Sequence, residues 1–176
     1  MRQRCAFLNC TCMLLMAAGT IALSHAAEVK SDAGRFAITA PVELKEQTKS
    51  VDGEEGKKIE LHVFQGEKDG KAYFVVYSDR ATDTAKQEDI EKLLDGARDG
   101  LIGGMKGKVT NETKIAMAGN AGRELDVDAK FNEIDSKVKA RLYMVGKRLY
   151  QIMIVTPVGK GTPEEMVEFL NSFKLN

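Results

Sequence analysis

The feature that most limits the possible folds of this chain is a long stretch of two-residue periodicity between residues 108 and 156. Two segments carry apolar residues at every second position: Leu125, Val127, Ala129 and Phe131, then Val138, Ala140, Leu142 and Met144. Successive side chains of a strand point to opposite faces of a sheet, so each segment is predicted to be a strand with one apolar face. Segment 149–155 is apolar on both faces, which is typical of a central strand that is covered twice.

Charges and glycines in this stretch predict how its strands pair. A turn centred on Glu133 and Ile134 brings acidic residues opposite basic ones on one face and apolar residues together on the other. The predicted pairs are Asp126–Arg141, Asp128–Lys139 and Leu125–Leu142. Complementarity on both faces favours this register. Gly146 and Lys147 are predicted to form a two-residue hairpin turn, in which glycine provides the positive φ.

Shorter segments of the N-terminal half predict four more strands. They lie at 35–39, 42–51, 59–65 and 72–77, and the last of these is apolar on both faces. Segment 66–70 is predicted to be a hairpin loop, because glycine and charged residues are concentrated there. The same composition predicts a turn at Asp52 and the four residues that follow it.

Two segments change to the period of a helix. Between residues 84 and 102, five apolar residues fall on one helical face: Ile90, Leu93, Leu94, Ala97 and Leu101. Thr84 fits a capping box at the start of this helix, and Gly103 and Gly104 are predicted to end it. A second helix is predicted to begin at Pro163, with Thr162 as its N-cap.

The predicted element order is therefore β-β-β-β-α-β-β-β-β-α. Strands joined by hairpins pair antiparallel, and each amphipathic helix has to bury its apolar stripe against a sheet. The sequence predicts an α+β fold in which helices flank an antiparallel β-sheet, an α/β/α sandwich. Residues 35–176 are predicted to form this single domain, and the polar segment 27–34 a short tether before it.

The first 26 residues are typical of a secretory signal peptide. Arg2 and Arg4 precede an apolar run that is clearest at 13–18, and the small residues Ser24 and Ala26 fit cleavage after position 26. The apolar run is too short and interrupted to span a membrane comfortably. We therefore expect export to the periplasm or the extracellular space, without stable membrane insertion after cleavage.

Removal of the signal segment would also remove most of the reactive side chains. Cys5, Cys10 and Cys12 lie within it, and of the two histidines only His62 lies beyond it. The chain has 26 basic and 26 acidic residues with the signs mixed, which argues against nucleic-acid binding. A lone strand histidine has no ligand partners at useful spacing, so we expect no metal site.

The sequence contains no convincing catalytic motif. The glycine-rich segments 100–108 and 159–162 lack the strand, glycine or hydroxyl context of a phosphate-binding loop. Glu124, Asp126 and Asp128 lie on one strand face, and we interpret them as a solvated row paired with basic residues rather than a calcium site. An enzyme would need an acid–base pair from the Asp and Glu residues alone. We expect no catalytic residues and no cofactor.

The side chains most suited to recognising a partner are arginines and tyrosines, which are favoured in binding surfaces. The candidates are Arg123, Arg141, Tyr143, Arg148 and Tyr150. In the alternative interpretation, the tyrosines cover a sheet face beneath a helix.

Four segments resemble the PsbP/Mog1-like superfamily, and in particular its small exported bacterial proteins. They are GRFAITAP (34–41), AGRE (121–124), RLYMVGKRLYQIMIV (141–155) and FLNSFKL (169–175). The resemblance covers nearly all of the chain after residue 26. It implies an α/β/α sandwich around an antiparallel sheet and non-enzymatic work as an accessory subunit or binding module. It provides no catalytic residues to transfer.

Together these observations predict an exported, non-enzymatic binding or accessory domain. Its partner would be a protein or an envelope component, contacted through an exposed edge strand or the face that bears the tyrosines and arginines. The alternative is a carrier of a small ligand or lipid, with a cavity between the sheet and the helix at 84–102.

Overall fold

The computed structural model describes residues 27–52, 58–80 and 87–176. The predicted signal peptide, the turn after Asp52 and the Thr84 cap lie outside the described residues. The strands are β1 (Ala27–Ser31), β2 (Phe36–Ala40), β3 (Lys45–Asp52), β4 (Lys58–Lys68), β5 (Lys71–Asp79), β6 (Lys108–Met117), β7 (Asn120–Phe131), β8 (Ile134–Val145), β9 (Arg148–Pro157) and β10 (Lys174–Leu175). The helices are α1 (Gln87–Met105), between β5 and β6, and α2 (Pro163–Asn171), between β9 and β10.

These strands form two antiparallel sheets. The large sheet has seven strands in the order β3-β4-β5-β9-β8-β7-β6, and the small sheet has the order β1-β2-β10. The strands β5 and β9, whose sequences are apolar on both faces, pair with each other inside the large sheet. Their position explains the absence of polar alternation, because both of their faces are covered by other elements.

The two faces of the large sheet are covered differently. On the face that we call the α1 face, α1 packs on β7 and β8 over a core that includes Leu94, Leu125, Ala140 and Leu142. On the opposite face, the α2 face, α2 and the small sheet cover an aromatic core that includes Phe36, Tyr77, Tyr150, Phe169 and Phe173. The predicted α+β class with antiparallel pairing and two helices is therefore confirmed. The predicted helix-flanked sandwich is realised only in part, because strands dominate the layer on the α2 face.

The segment predicted to be a tether differs from the prediction. Residues 27–31 form β1 and pair along their whole length with β2, with Val29 opposite Ile38. The prediction of a tether at 27–34 is thus wrong for these residues. The predicted element order lacks β1 and β10. β10 has only two residues, too few to show a periodic pattern, whereas β1 is as long as β2 and lies in the segment interpreted as a tether.

The predicted register of β7 and β8 is wrong by two residues. The observed pairs are Glu124–Arg141, Asp126–Lys139, Asp128–Lys137 and Leu125–Ala140. The turn lies at Asn132 and Glu133, which both have positive φ (49° and 64°). The charges favour the observed register, because it places Glu124 opposite Arg141 and Lys130 opposite Asp135, whereas the predicted register would place Glu124 opposite Tyr143 and Lys130 opposite Lys137. The turn geometry agrees with the observed register.

The structure also tests the predicted positions of two turns and of the end of α1. The turn at Gly146–Lys147 is confirmed, with φ of 58° at Gly146. The loop predicted at 66–70 is shorter, because β4 and β5 continue to a two-residue turn at Asp69–Gly70. The prediction that Gly103 and Gly104 end α1 is wrong, because the helix continues to Met105.

The predicted start of α2 is confirmed. The Thr162 hydroxyl accepts a hydrogen bond from the Glu165 N–H at 3.3 Å, and the Glu165 carboxylate accepts one from the Thr162 N–H at 3.0 Å. Pro163 is the first helical residue, where its missing N–H has no cost. This reciprocal capping fixes where α2 begins above β8 and β9, and thereby positions the groove described next.

Candidate binding groove

An open groove of about 370 Å³ lies between α2 and the strands β7 and β8, on the α2 face of the large sheet. We call it the α2 groove. Its wall on the helix side is apolar and consists of Pro163, Met166 and Val167. The charged residues that line it are Asp126, Asp128, Lys137 and Lys139. The groove therefore combines an apolar wall with a charged floor.

The floor belongs to a row of cross-strand ion pairs, which we call the charge ladder. Its members are Glu124, Asp126 and Asp128 of β7 and Lys137, Lys139 and Arg141 of β8. The directly opposite pairs are joined by nitrogen–oxygen distances of 2.6 Å (Arg141–Glu124), 2.7 Å (Lys139–Asp126) and 2.6 Å (Lys137–Asp128). Lys139 also lies 3.1 Å from the Glu124 carboxylate. Acidic and basic side chains thus run side by side along the floor with no excess of either sign.

Two half-buried members of the ladder are held in their charged forms. Burial acts to raise the pKa of Glu124, but hydrogen bonds from Arg141 and Lys139 lower that pKa below its usual value. Burial likewise acts to lower the pKa of Lys139, but hydrogen bonds to Asp126 and Glu124 raise that pKa. Proton transfer at neutral pH favours the opposite shifts, a raised carboxyl pKa and a lowered lysine pKa. Both shifts keep Glu124 and Lys139 charged near neutral pH.

Arg141 and Tyr143, two of the predicted binding residues, are neighbours on the α2 face. Arg141 is half-buried in the charge ladder beside the groove. Tyr143 is buried, and its ring lies so close to Gly122 that a Cβ there would come within 2.6 Å of the ring. It also stacks parallel to Phe173 at a centroid distance of 6.4 Å. Tyr143 therefore packs within the core beneath the chain that follows α2.

Arg148 and Tyr150, two further predicted residues, attach the small sheet to the large one. Arg148 donates two hydrogen bonds of 2.6 Å to the Asp79 carboxylate and a third to the Ala33 carbonyl, also at 2.6 Å. Its guanidinium lies 4.4 Å from the centre of the Tyr77 ring. The Tyr150 hydroxyl donates to the Gly34 carbonyl at 2.7 Å. Both side chains therefore hold the turn between β1 and β2 against the large sheet.

Arg123, the fifth predicted residue, lies on the α1 face and is only 4% exposed. Its guanidinium donates to Glu91 and Asp95 of α1 and to Glu112 of β6. These bonds raise the pKa of Arg123 and keep it charged in spite of burial. The structure thus separates Arg123 from the other four residues. Whether any of the five contacts a partner stays a prediction, and Arg141 is the one that belongs to the charge ladder.

The α2 groove could not be predicted from the sequence, because it depends on where α2 lies on the large sheet. Met166 belongs to the apolar stripe of α2, and Val167 follows it outside the i, i+3, i+4 pattern. That extra apolar residue is the one available signal in the sequence. The position of α2 over β8 and β9 depends on tertiary packing, which no local pattern encodes.

A second open groove of about 380 Å³ lies where the chain between β2 and β3 passes β4 and β5. Gly66 permits this close passage, because a Cβ there would approach the Glu43 carbonyl oxygen to 2.6 Å. Phe74 is the aromatic residue in its lining. This groove follows from the packing of a loop, whereas the α2 groove is built by a helix and a row of ion pairs.

His62 is the only histidine among the described residues. His62 stacks on Tyr77 at 4.5 Å and lies 3.6 Å from the Glu46 carboxylate. Within residues 27–52, 58–80 and 87–176, no three His, Cys, Asp or Glu side chains are grouped to hold a metal ion. No helix in the same ranges is both long and apolar enough to cross a membrane.

The comparisons with known proteins concern the fold. No protein-family model and no curated protein matches the chain. Among solved structures, the chain is similar to the solution structure of cyanobacterial PsbP (CyanoP) from Synechocystis sp. PCC 6803, with a TM-score of 0.57 and 12% sequence identity. The match covers 92% of this chain and 99% of that one. At this identity the similarity shows the architecture alone. The chain therefore has a PsbP-like fold, as its sequence motifs predicted.

Proposed function

We propose that this protein is an exported, non-enzymatic binding or accessory domain that holds a segment of another protein in the α2 groove. The observation that best supports this proposal is the union of an apolar wall with a charge ladder that is neutral overall. Protein recognition sites commonly combine apolar contact at the centre with polar contact around it. A partner segment that bears one apolar side chain and charges of both signs would match the groove.

The protonation states of the ladder support a non-enzymatic role. Glu124 and Lys139 are stabilised as charged groups by each other and by their neighbours. Asp79 and Arg148 behave alike, since their hydrogen bonds lower the pKa of the acid and raise that of the base. An accessory role is also what the resemblance to PsbP/Mog1-like proteins implies.

The carrier alternative has less support from the residues beneath α1. Leu94 is fully buried and Leu101 nearly so, and both pack against apolar side chains of β7 and β8. This packing occupies the space between sheet and helix in which a ligand would have to lie. Native mass spectrometry distinguishes the two functions, because a carrier purified gently would retain a bound small molecule.

Export is proposed from residues 1–26. The support for it is the order of basic, apolar and small residues in that segment. The mass of the protein recovered from the periplasm or the medium tests this proposal. A mature chain that starts at Ala27 agrees with it, and an intact chain that starts at Met1 contradicts it.

Site-specific photocrosslinking tests the binding role of the groove. We expect benzoyl-phenylalanine at Val167, in the apolar wall, to form a discrete adduct with one protein in envelope extracts. The matched control is Val51, a valine that is 39% exposed on β3, away from the groove. Unlabelled Val167→Asp protein should no longer compete for the adduct, whereas Val51→Asp protein should still do so. Equal labelling at the two positions, or none at Val167, would contradict the proposal.

A further inference from the structure

The large sheet ends in two edge strands, β3 and β6, in the part of the chain that the structure describes. An edge strand presents N–H and C=O groups that can pair with another chain. α1 packs on β7 and β8, so it does not cover the edge at β6. Most residues of β6 are exposed. The sequence of each edge then decides which chains it can accept.

We propose that β6 pairs antiparallel with β6 of a second copy of this protein, across a two-fold axis at Thr113. The two large sheets would then form one continuous sheet, with both α1 helices on the same side. This interface lies at the strand edge and uses none of the residues that line the helix wall of the α2 groove. It therefore stands independently of the proposed binding function.

Symmetry restricts the possible registers. Two copies related by a two-fold axis perpendicular to the sheet must place one residue opposite itself. With Thr113 at the axis, Glu112 of each copy faces Lys114 of the other, which gives two oppositely charged pairs. With Glu112 or Lys114 at the axis, like charges would face each other. Thr113 is therefore the centre that the charges favour.

The shape of β6 agrees with this register. Its pairing with β7 is regular from Asn111 to Met117 and is interrupted by a bulge between Val109 and Asn111. A two-fold axis at Thr110 would also place Lys108 of one copy opposite Glu112 of the other. Thr110, however, lies in the bulge, where the strand is irregular. The stretch centred on Thr113 lies within the regular part of the strand.

The other edge shows no such self-complementarity. On β3 the charged residues are Lys45, Glu46, Lys49 and Asp52. Each acid is an odd number of positions from each base, so no two-fold register can place an acid opposite a base. A register centred on Gln47 would place Lys45 of one copy opposite Lys49 of the other, so that like charges face each other. Of the two edges of the large sheet, β6 is thus the one that favours self-pairing.

The side chains at β6 are placed for contact across the axis. Lys114 is 73% exposed and lies 3.0 Å from Glu91 of its own α1. The Glu112 carboxylate accepts hydrogen bonds from Arg98 and Arg123, which orient it on the α1 face. Lys114 of the second copy would therefore approach a fixed carboxylate. The regular stretch that is symmetric about Thr113 runs from Asn111 to Ile115, five residues of each copy. Because this interface is small, we expect a dimer that dissociates on dilution.

Disulfide trapping tests both the pairing and its register. The chain with Cys5, Cys10 and Cys12 changed to Ser has no other cysteine, so Thr113→Cys introduces a single exposed thiol. Directly opposite residues in antiparallel strands have Cα atoms about 4.5–5.5 Å apart, within disulfide range. Two residues at position 114 would be about 8 Å apart in this register, which is too far. With oxidised glutathione we expect a covalent dimer from Thr113→Cys but not from Lys114→Cys.

Two controls complete the experiment. Thr48→Cys places a thiol on the β3 edge and should stay monomeric. Lys114→Glu, added to Thr113→Cys, puts acids opposite acids and should slow cross-linking about fivefold. Circular dichroism checks that each variant is folded. The proposal is overturned if Thr113→Cys does not cross-link at the highest soluble concentration. It is also overturned if Lys114→Cys or Thr48→Cys cross-links as fast.

Discussion

Arg123 joins three elements through one buried guanidinium. Glu91 and Asp95 of α1 and Glu112 of β6 all accept hydrogen bonds from it. Burying a charge is costly unless it is paired, and here carboxylates from two elements share one cation. The residue therefore acts as a structural connection between helix and sheet, although its type also suits a binding site.

Replacement of this arginine should be strongly destabilising. Arg123→Met removes the cation that three carboxylates share, and we expect the free energy of unfolding to fall by about 2–3 kcal/mol. Lys114→Met is the matched control, because Lys114 contacts the same Glu91 but is largely exposed. It should cost less than about 0.5 kcal/mol. Urea denaturation measures both. Equal effects would show that the burial of Arg123 is not what matters.

At the scale of elements, α1 contrasts with α2 in how its ends and interior are built. α2 has a complete capping box and a proline at its start. α1 contains four glycines within its helical range: Gly96, Gly100, Gly103 and Gly104. A Cβ at any of these positions would meet no atom within 4 Å. Glycine in a helix costs about 1 kcal/mol relative to alanine, so these residues weaken α1 without serving its packing.

Alanine substitution in α1 should therefore stabilise the protein. We expect Gly96→Ala and Gly100→Ala each to raise the free energy of unfolding by about 0.5–1 kcal/mol. Gly122→Ala is the control and should destabilise the protein, because its Cβ would overlap the Leu142 carbonyl oxygen. Thermal and urea unfolding provide the values. Destabilisation by the helix substitutions would mean that α1 requires its glycines.

The periodicity of the sequence made the long strands and helices predictable. Their exact register and end points were less predictable, because these depend on single turn residues. The pattern of β7 and β8 predicted both strands and their buried faces, but the predicted turn lies one residue too late, which shifts the pairing by two residues. Pairing of Lys130 with Asp135 and positive φ at Asn132 and Glu133 both belong to the observed register. Gly103 and Gly104 resemble a helix end, yet the helix continues to Met105 and is followed by Lys106, whose φ is 48°.

The candidate site was predictable only in its separate parts. The charged rows of β7 and β8 were recognised as paired faces, which the structure bears out with Lys139 on Asp126. The apolar wall at Val167 depends on where α2 lies above the sheet. The arginines and tyrosines were proposed as binding residues because of their residue type. Residue type does not reveal that Arg123, Arg148 and Tyr150 are buried within the fold.

At the scale of the whole molecule, the small sheet is attached to the large one mainly through its turn and its aromatic core. Arg148 bridges Asp79, at the end of β5, and Ala33, in the turn between β1 and β2. Phe36 of β2 packs edge-on against Phe64 of β4 at 5.2 Å. The core contact is insensitive to pH, whereas the ion pair is not. Acid should therefore weaken this junction through Asp79.

The sign of that pH dependence follows from the direction of the pKa shift. The hydrogen bonds from Arg148 lower the pKa of Asp79 in the folded protein below its usual value. The pair therefore contributes stability above the pKa of an unfolded aspartate, about 3.9, and loses it as the pH falls through the lower folded pKa. We expect the stability difference between the natural chain and Asp79→Asn to be constant near pH 6–7 and to shrink below about pH 4. Urea denaturation at a series of pH values measures it. In an Arg148→Met background the shrinkage should vanish, and its persistence there would assign the pH dependence to another partner of Asp79.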